Sequence, residues 1–246
     1  MSDQKEWFSE WFDSPYYHIL YQNRDDKEAE FFLSNLITFF KAKREWKIID
    51  LACGKGRHAI FLNSLGYDVT GIDLSSKSIA IAKKSENENL HFEVQDLRHL
   101  KFKEKFDIAL NLFTSFGYFR SKEEDAIVIK NIHHILKPKG FVLIDFMNTG
   151  VVLRNLVAKE NKLVCGIHFQ ISKKKENGFI VKNIHFCDKN KEYEYSEKVQ
   201  TLSSSDFEKL LTDHGFSILN LFGNYKLDEF RSESSERLII LAQKNA

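Results

Sequence analysis

Cysteine is scarce in this chain. Cys53, Cys165 and Cys187 are odd in number and far apart. They form no C-x-x-C pair, which excludes the common zinc and redox spacings, and they outline no disulfide framework. Long hydrophobic runs are missing as well. Nothing approaches the roughly 18 consecutive apolar residues that span a membrane, and the opening M-S-D-Q-K-E-W-F has no apolar signal core. There is no excess of charge of either sign. A formal net charge of +1 supplies neither the basic field that attracts nucleic acid nor the acidic excess of a disordered chain. These absences predict a cytoplasmic protein in a reducing setting, with no metal, nucleic-acid or membrane partner.

What is present is enough for a sizeable core. A chain of 246 residues, 43% of them hydrophobic, fits one α/β domain with a modest insertion. Residues 7 to 21 are rich in aromatics (Trp7, Phe8, Trp11, Phe12, Tyr16, Tyr17, Tyr21), and residues 26 to 43 have helical apolar spacing through Ala29, Phe32, Leu33, Leu36, Ile37 and Phe40. Strand and helix patterns then alternate: strands at 47–51, 68–72, 90–94, 106–112 and 141–146, and helices at 56–65, 75–85 and 122–136. That rhythm reads as a mostly parallel, doubly wound sheet with its ligand at the carboxyl ends of the strands. After about residue 150 the rhythm breaks. Three strand patterns (162–172, 179–187, 192–201) are separated by the polar turns K-K-K-E-N-G and D-K-N-K, which predicts an antiparallel meander. A helix at 205–213, with Ser203 to Ser205 as cap candidates and Gly215 beyond its end, leads to two last strands at 216–222 and 236–243.

The most informative stretch is I-I-D-L-A-C-G-K-G-R-H-A, residues 48–59. An apolar run ends in Asp50, turns through Gly54 and Gly56 and enters a helix, which makes a cradle where backbone can approach a ligand closely. Gly54-x-Gly56-x-x-Ala59, with Asp73 about twenty residues on, satisfies the relaxed dinucleotide fingerprint. Asp50 points elsewhere. Its carboxylate would face a pyrophosphate unfavourably, but it suits a cofactor that carries an ammonium and a sulfonium. Asp73 in V-T-G-I-D-L-S lies where a ribose diol can donate to it, with Leu74 against the adenine. Asp96 in F-E-V-Q-D-L lies where an exocyclic adenine amine can do the same.

Together these segments, with L-K-P-K-G-F-V-L-I-D-F at 136–146, resemble the class I S-adenosylmethionine-dependent methyltransferases. The resemblance covers residues 45–148, and 203–244 in the order of elements. Lys139 stands where the family typically has the first glycine of a glycine–glycine turn. The resemblance implies a Rossmann-like α/β fold: a doubly wound, mostly parallel seven-stranded sheet whose last strand is antiparallel, with the small antiparallel β insertion added. The division it implies is an arm and helix acting as a lid (1–44), a cofactor-binding core (45–150), the β insertion over the active site (151–202), and the closing helix and strands (203–246).

The implied cofactor is S-adenosyl-L-methionine, leaving as S-adenosyl-L-homocysteine. Its predicted contacts are Asp50, Ala52, Cys53, Gly54, Gly56, Asp73, Leu74, Gln95, Asp96, Leu97, Asn111, Leu112, Tyr17 and Tyr21. In the family the segment after the fourth strand borders the transferring methyl group. This makes Phe113, Thr114, Ser115 and Tyr118, with Tyr16 from the arm, the predicted substrate pocket. Aromatics that cover a sulfonium gain cation–π attraction and exclude water. Cys53 reads as a small apolar filler of the loop, Arg57 as solvated in the first helical turn, and His58 as a support for the loop. Adenine methyltransferases of nucleic acids carry Asn-Pro-Pro-aromatic after that strand. Here Leu112 and Phe113 replace both prolines, which argues against a base as acceptor. The expectation is methyl transfer to a small-molecule N, O or C nucleophile by a monomer or homodimer, with Tyr118 and His168 as candidate catalytic groups. The alternatives are a non-catalytic cofactor-binding module that acts through a partner, a dinucleotide-dependent oxidoreductase, and RNA or protein methylation.

Overall fold

The computed structural model describes residues 7–22, 26–103 and 105–245. Residues 1–6 of the predicted arm, and the side chains of Trp7 and Phe8, lie outside the described residues. Two short helices, α1 (Trp7–Phe12) and α2 (Pro15–Leu20), precede the longer α3 (Asp26–Phe40). There follow β1 (Lys47–Leu51), α4 (Arg57–Ser64), β2 (Asp68–Asp73), α5 (Ser76–Ala82), β3 (Leu90–Val94), β4 (Phe106–Asn111), α6 (Lys122–Ile135), β5 (Leu136–Met147) and α7 (Thr149–Arg154). The chain then runs through β6 (Lys159–Val164), β7 (Ile167–Glu176), β8 (Phe179–Asp188) and β9 (Lys191–Gln200). It closes with α8 (Ser204–Thr212), β10 (Phe216–Phe222) and β11 (Arg237–Lys244).

The large sheet has seven strands in the order β10-β11-β5-β4-β1-β2-β3. The five strands β1 to β5 pair in parallel, while β11 runs antiparallel to both β5 and β10. The chain steps outward from β1 through β2 to β3, then crosses back to β4 on the other side. The strand order therefore reverses between β1 and β4, and a crevice opens beyond their carboxyl ends. Strands with helices on both faces must be apolar on both faces. Ile48, Ile49 and Leu51 of β1 meet that need, being fully buried. One face packs against α3, α4 and α5 around Phe32, Leu36, Leu62 and Phe92; the other packs against α6 and α8 around Ile129, Ile132, Phe146 and Phe207.

The helix starts follow the local chemistry. Ser75, Ser121 and Ser203 accept the N–H groups of Ser78, Glu124 and Asp206, and Ser203 with Asp206 forms a reciprocal capping box. Lys139 holds the left-handed φ of 60° that its turn demands. There Gln243 Nε2 donates to its carbonyl at 3.0 Å.

The second sheet corrects one expectation. It has four strands, β6-β7-β8-β9, all antiparallel, where the sequence predicts three. The predicted strand 162–172 is broken by a turn at Cys165 (φ 49°) and Gly166 (φ 78°). The apolar residues around that turn mask it in the hydropathy pattern. The inner face of this sheet carries Ile167, Phe169, Ile171, Ile184 and Phe186, and the fully buried Trp11 of α1 completes its core. The aromatic arm is thus joined to the meander. It also touches the large sheet's helices, since Ser75 Oγ donates to Asp13 Oδ1 and Lys77 Nζ donates to the Asp13 carbonyl at 3.2 Å.

Candidate active site

A cavity of about 460 Å³ lies between the carboxyl ends of the parallel strands and the arm. Its floor is the loop after β1. Ala52 (φ 59°), Gly54 (φ 58°) and Gly56 (φ 84°) all take left-handed backbone. Cys53 N–H donates to the Ile72 carbonyl at 2.8 Å, and Gly54 N–H donates to Asp73 Oδ2 at 2.8 Å, which pins the loop to β2. A side chain added to Gly54 would meet nothing within 4 Å, so backbone is open there to a ligand. Gly56 is different. A Cβ on it would stand 2.6 Å from the Phe92 ring, and Gly56 does not line the cavity. Its predicted place against the cofactor is corrected to close packing of α4 on β3.

Asp50, one residue before the end of β1, is 1% exposed and lines the cavity. Its Oδ2 is buried without a hydrogen-bond partner among the described residues. Burial pushes its pKa up to about 8 and Asp73 adds to the rise, while Arg57 and a backbone bond from Ala59 pull the other way. A buried carboxylate oxygen with no donor is costly unless something cationic meets it. His58 Nδ1 stands 3.8 Å from that oxygen.

Asp73 ends β2. Its Oδ2 accepts from Gly54 N–H and its Oδ1 from Ser75 N–H, each at 2.8 Å. Burial raises its pKa above the ordinary value against the pull of these donors. Leu74, 38% exposed, offers a flat apolar surface beside it. Asp96 follows β3 and accepts from Arg98 N–H at 2.8 Å and from Arg98 Nη2 at 2.7 Å. Burial pushes Asp96 up, but the Arg98 bonds outweigh it and hold the carboxyl below its ordinary value. Gln95 and Leu97 line the same wall.

The loop after β4 is shaped from a distance. Phe113 (φ 55°) and Thr114 (φ 62°) are consecutive left-handed residues without being glycines, a conformation that surrounding contacts must impose. The buried Asp145 of β5 imposes it. Phe113 N–H donates to Asp145 Oδ2 at 2.8 Å and Thr114 N–H to the Asp145 carbonyl at 2.9 Å. Arg237 Nε and Tyr225 OH also donate to that carboxylate, at 2.8 and 3.2 Å.

The predicted contacts Asp50, Ala52, Cys53, Gly54, Asp73, Leu74, Gln95, Asp96, Leu97, Leu112, Tyr17 and Tyr21 all line this one cavity, as do Phe113, Ser115 and Tyr118. Four further predicted residues do not. Asn111 is fully buried behind the wall and donates through Nδ2 to the Leu51 carbonyl at 3.2 Å, tying β1 to β4. Thr114 turns its hydroxyl away to accept from Arg237 Nη2 at 2.9 Å. Tyr16 lies on the meander, donating to Asp188 Oδ2 at 2.8 Å with its ring 4.6 Å from Phe186. His168 is exposed on the outer face of β7, because strand alternation gives the inner face to Ile167 and Phe169. Lining residues that the sequence reading missed are Phe12, His18, Gln22, Lys55, Arg57, His58, Ser78 and Phe119. Arg57, expected to be solvated, lies 4.7 Å over the Phe113 ring. Only Lys55, Arg57 and His58 carried a signal, their place inside the glycine loop and the first turn after it.

The arm closes the cavity. Phe12 and Tyr17, with ring centroids 4.9 Å apart, and Tyr21 stand over the floor. Tyr21 OH donates to Glu197 Oε1 at 2.6 Å and accepts from Lys182 Nζ, while Trp11 Nε1 donates to the same Glu197 oxygen at 2.6 Å.

Comparison with known proteins gives a consistent result. Residues 48–140 match the model of a family described as "Methyltransferase domain". A protein of Bacillus subtilis (strain 168) named "Putative methyltransferase YqeM" is 28% identical over 212 residues, covering 81% of this chain and 84% of its own. The dTDP-3-amino-3,4,6-trideoxy-alpha-D-glucopyranose N,N-dimethyltransferase of Streptomyces venezuelae is 24% identical, covering 72% of this chain and 77% of its own. The crystal structure of an S-adenosylmethionine-dependent methyltransferase from Clostridium acetobutylicum superposes with a TM-score of 0.81 at 19% identity, covering 94% and 96% of the two chains.

Proposed function

As the chain belongs to the class I S-adenosylmethionine-dependent methyltransferases, we propose that it methylates a small-molecule N, O or C nucleophile by in-line displacement. The bound cofactor supplies an activated methyl group on a sulfonium, whose departure as a neutral thioether leaves the protein mainly to align the acceptor and exclude water. The single observation that carries the site assignment is Asp50 Oδ2, a buried carboxylate oxygen at the wall of the cavity without a donor among the described residues. It suits the cofactor's ammonium. Gly54 leaves its backbone open to the ligand, Asp73 accepts from the ribose hydroxyls, and Leu74, Gln95, Asp96 and Leu97 hold the adenine. Asp50 also answers the dinucleotide alternative, because a pyrophosphate brings no donor to its buried oxygen and would be repelled by the ionised form.

In this reading the described part of residues 1–44 and the insertion 151–202 form a cover over the core 45–150, completed by the closing helix and strands from residue 203. Phe12, Tyr17, Tyr21 and Tyr118 bring aromatic rings to the methyl end, and Ser115 and Tyr118 offer hydroxyls to an acceptor. A base is needed only when the acceptor arrives protonated. Support for a small acceptor comes from the amino-sugar dimethyltransferase among the relatives. The three free thiols suit a reducing cytoplasm.

S-Adenosylhomocysteine is expected to raise the melting temperature by several degrees at saturating concentration, and NAD or NADP to leave it unchanged. A shift with the dinucleotides and none with S-adenosylhomocysteine would remove this reading. Methyl transfer from labelled cofactor across a panel of amines, phenols and carboxylates then separates an enzyme from a silent binding module.

Binding should also depend on pH. Asp50, with His58, Arg57, Asp73 and Cys53 around it, holds a proton below about pH 8 in the free protein. An ammonium requires the ionised form, so binding releases that proton and affinity rises roughly tenfold per unit from pH 6 towards 7.5. The stability of the free protein runs the opposite way. A raised carboxyl contributes fully at low pH and loses its contribution as pH climbs through about 8. Calorimetry in buffers of different ionisation enthalpy measures the proton release. A flat affinity profile with no proton release would show that Asp50 does not meet the ammonium, and Asp50→Asn should abolish the slope.

A further inference from the structure

We infer that Asp125 is a pH-sensitive tie behind the cavity wall. As the neutral acid it donates to Gln200 and so holds the loop 116–120 against the end of β9; as the carboxylate it releases that hold. This goes beyond the function proposed above and does not rest on the cofactor.

Asp125 lies in the first turn of α6 at 1% exposure, and neither of its carboxyl oxygens has a hydrogen-bond partner among the described residues. The polar side chain beside it is Gln200, the last residue of β9, itself buried. Gln200 grips the loop twice. Its N–H donates to the Gly117 carbonyl at 2.8 Å and its Nε2 to the Phe119 carbonyl at 3.0 Å. Since Nε2 serves Phe119 and no donor reaches either Asp125 oxygen, the Gln200 atom left for Asp125 is Oε1, an acceptor. A carboxylate repels that atom, whereas a carboxylic acid donates its proton to it. Tyr118 and Phe119 of the gripped loop line the cavity, so Asp125 acts on the cavity as a positioning residue.

The surroundings favour the acid. On α6 itself Glu123 and Glu124 oppose a negative charge, and Lys122 is drawn outward to Asp206 of α8 at 3.5 Å. Arg98, after β3, is paired with Asp96 and Glu124, and Arg120 of the loop is exposed. From β5, Val142, Ile144 and Phe146 pack into the same core as Val128 and Ile129 of α6, while Asp145 bonds Arg237. Burial pushes the Asp125 pKa up to about 7, with Glu124 and Glu123 adding to the rise and Gln200 and Lys122 pulling against it. The sign follows: a raised carboxyl holds its tie at low pH and loses it as pH climbs through about 7.

The test is amide hydrogen exchange on the free full chain between pH 6 and 9, with the intrinsic pH dependence of exchange removed. The Gln200 N–H, bonded to Gly117, reports the tie directly. Its protection should be constant below about pH 7 and fall roughly tenfold per unit above it. Asp125→Asn, whose Nδ2 donates to Gln200 Oε1 at every pH, should keep the high protection throughout. Asp125→Leu, which cannot donate, should show low protection throughout. Wild-type protection that does not fall above pH 7 overturns the assignment. The same fall in Asp125→Asn also overturns it, because the titrating group would then be another one, such as Asp50. Full protection in Asp125→Leu does so too, since the loop would then need no tie. Should Asp125→Leu fail to fold, the wild type and Asp125→Asn decide between these outcomes by themselves.

Discussion

Asp73→Ala is expected to lower S-adenosylhomocysteine affinity by about 100-fold or more while the chain still folds. Two effects combine. The carboxylate that would receive the ribose hydroxyls disappears, and a charge-assisted hydrogen bond contributes roughly 1.5–3 kcal/mol. The same side chain also accepts the N–H groups of Gly54 and Ser75 at 2.8 Å. Without it the glycine loop is no longer tied to the end of β2 and the start of α5 loses a partner. The folding cost is smaller, about 1–3 kcal/mol for the donors left unsatisfied, because the helix keeps its cap at Ser75. Asp73→Asn retains one acceptor oxygen and should fall between. Calorimetric affinity measured beside the melting curve separates the two effects. Near-native affinity in a folded Asp73→Ala protein would show that the ribose lies elsewhere.

Arg237→Met is expected to destabilise the chain by about 3–5 kcal/mol, the range for a buried ion pair that loses one partner. Asp145 is fully buried, and Arg237 holds its Oδ1 at 2.8 Å. Burial raises the carboxyl's pKa even with the arginine in place, so removing the cation leaves a desolvated group with only Tyr225 OH and Phe113 N–H against it. The consequence reaches the cavity. Asp145 and Arg237 together hold Phe113 and Thr114 in left-handed backbone, and Phe113 is the ring against which His58 and Arg57 lie. Cofactor affinity should therefore fall along with stability. The double variant Arg237→Met with Asp145→Asn should recover part of the loss, since it leaves no buried charge unpaired. Urea denaturation reads both. A change under about 1 kcal/mol in Arg237→Met would mean that the pair does not hold this loop.

The parallel core was legible because each of its elements declares itself locally. Ile48 and Ile49 form an apolar run that ends in Asp50 before a glycine turn, and Ser75 and Ser203 announce helices that do begin there. The meander was legible in kind but miscounted. Cys165 and Gly166 make a turn inside an apolar stretch, and hydropathy is blind to the sign of φ. The arm was legible as aromatic and no further. Tyr16, Tyr17 and Tyr21 look alike in sequence, yet Tyr17 and Tyr21 face the cavity while Tyr16 lies on Phe186 and Tyr193. Thr114 is as polar as its neighbour Ser115, but its hydroxyl belongs to Arg237, 123 positions away.

The sequence by itself determined where the acids of the crevice stand. Asp50, Asp73 and Asp96 end or follow apolar strand patterns. In a parallel sheet the carboxyl end of a strand is at the crevice, so a local pattern becomes a location in space. Only the tertiary structure decided which other side chains join them. The helices α1 and α2 of the arm have only six residues each and the loop after β4 is left-handed, so neither has an intrinsic orientation. Their side chains point where distant partners hold them: Glu197 and Lys182 for Tyr21, and Asp145 and Arg237 for Phe113 and Thr114. Those partners are separated from the residues they orient by up to 176 positions of chain, and nothing in the local sequence records the pairing.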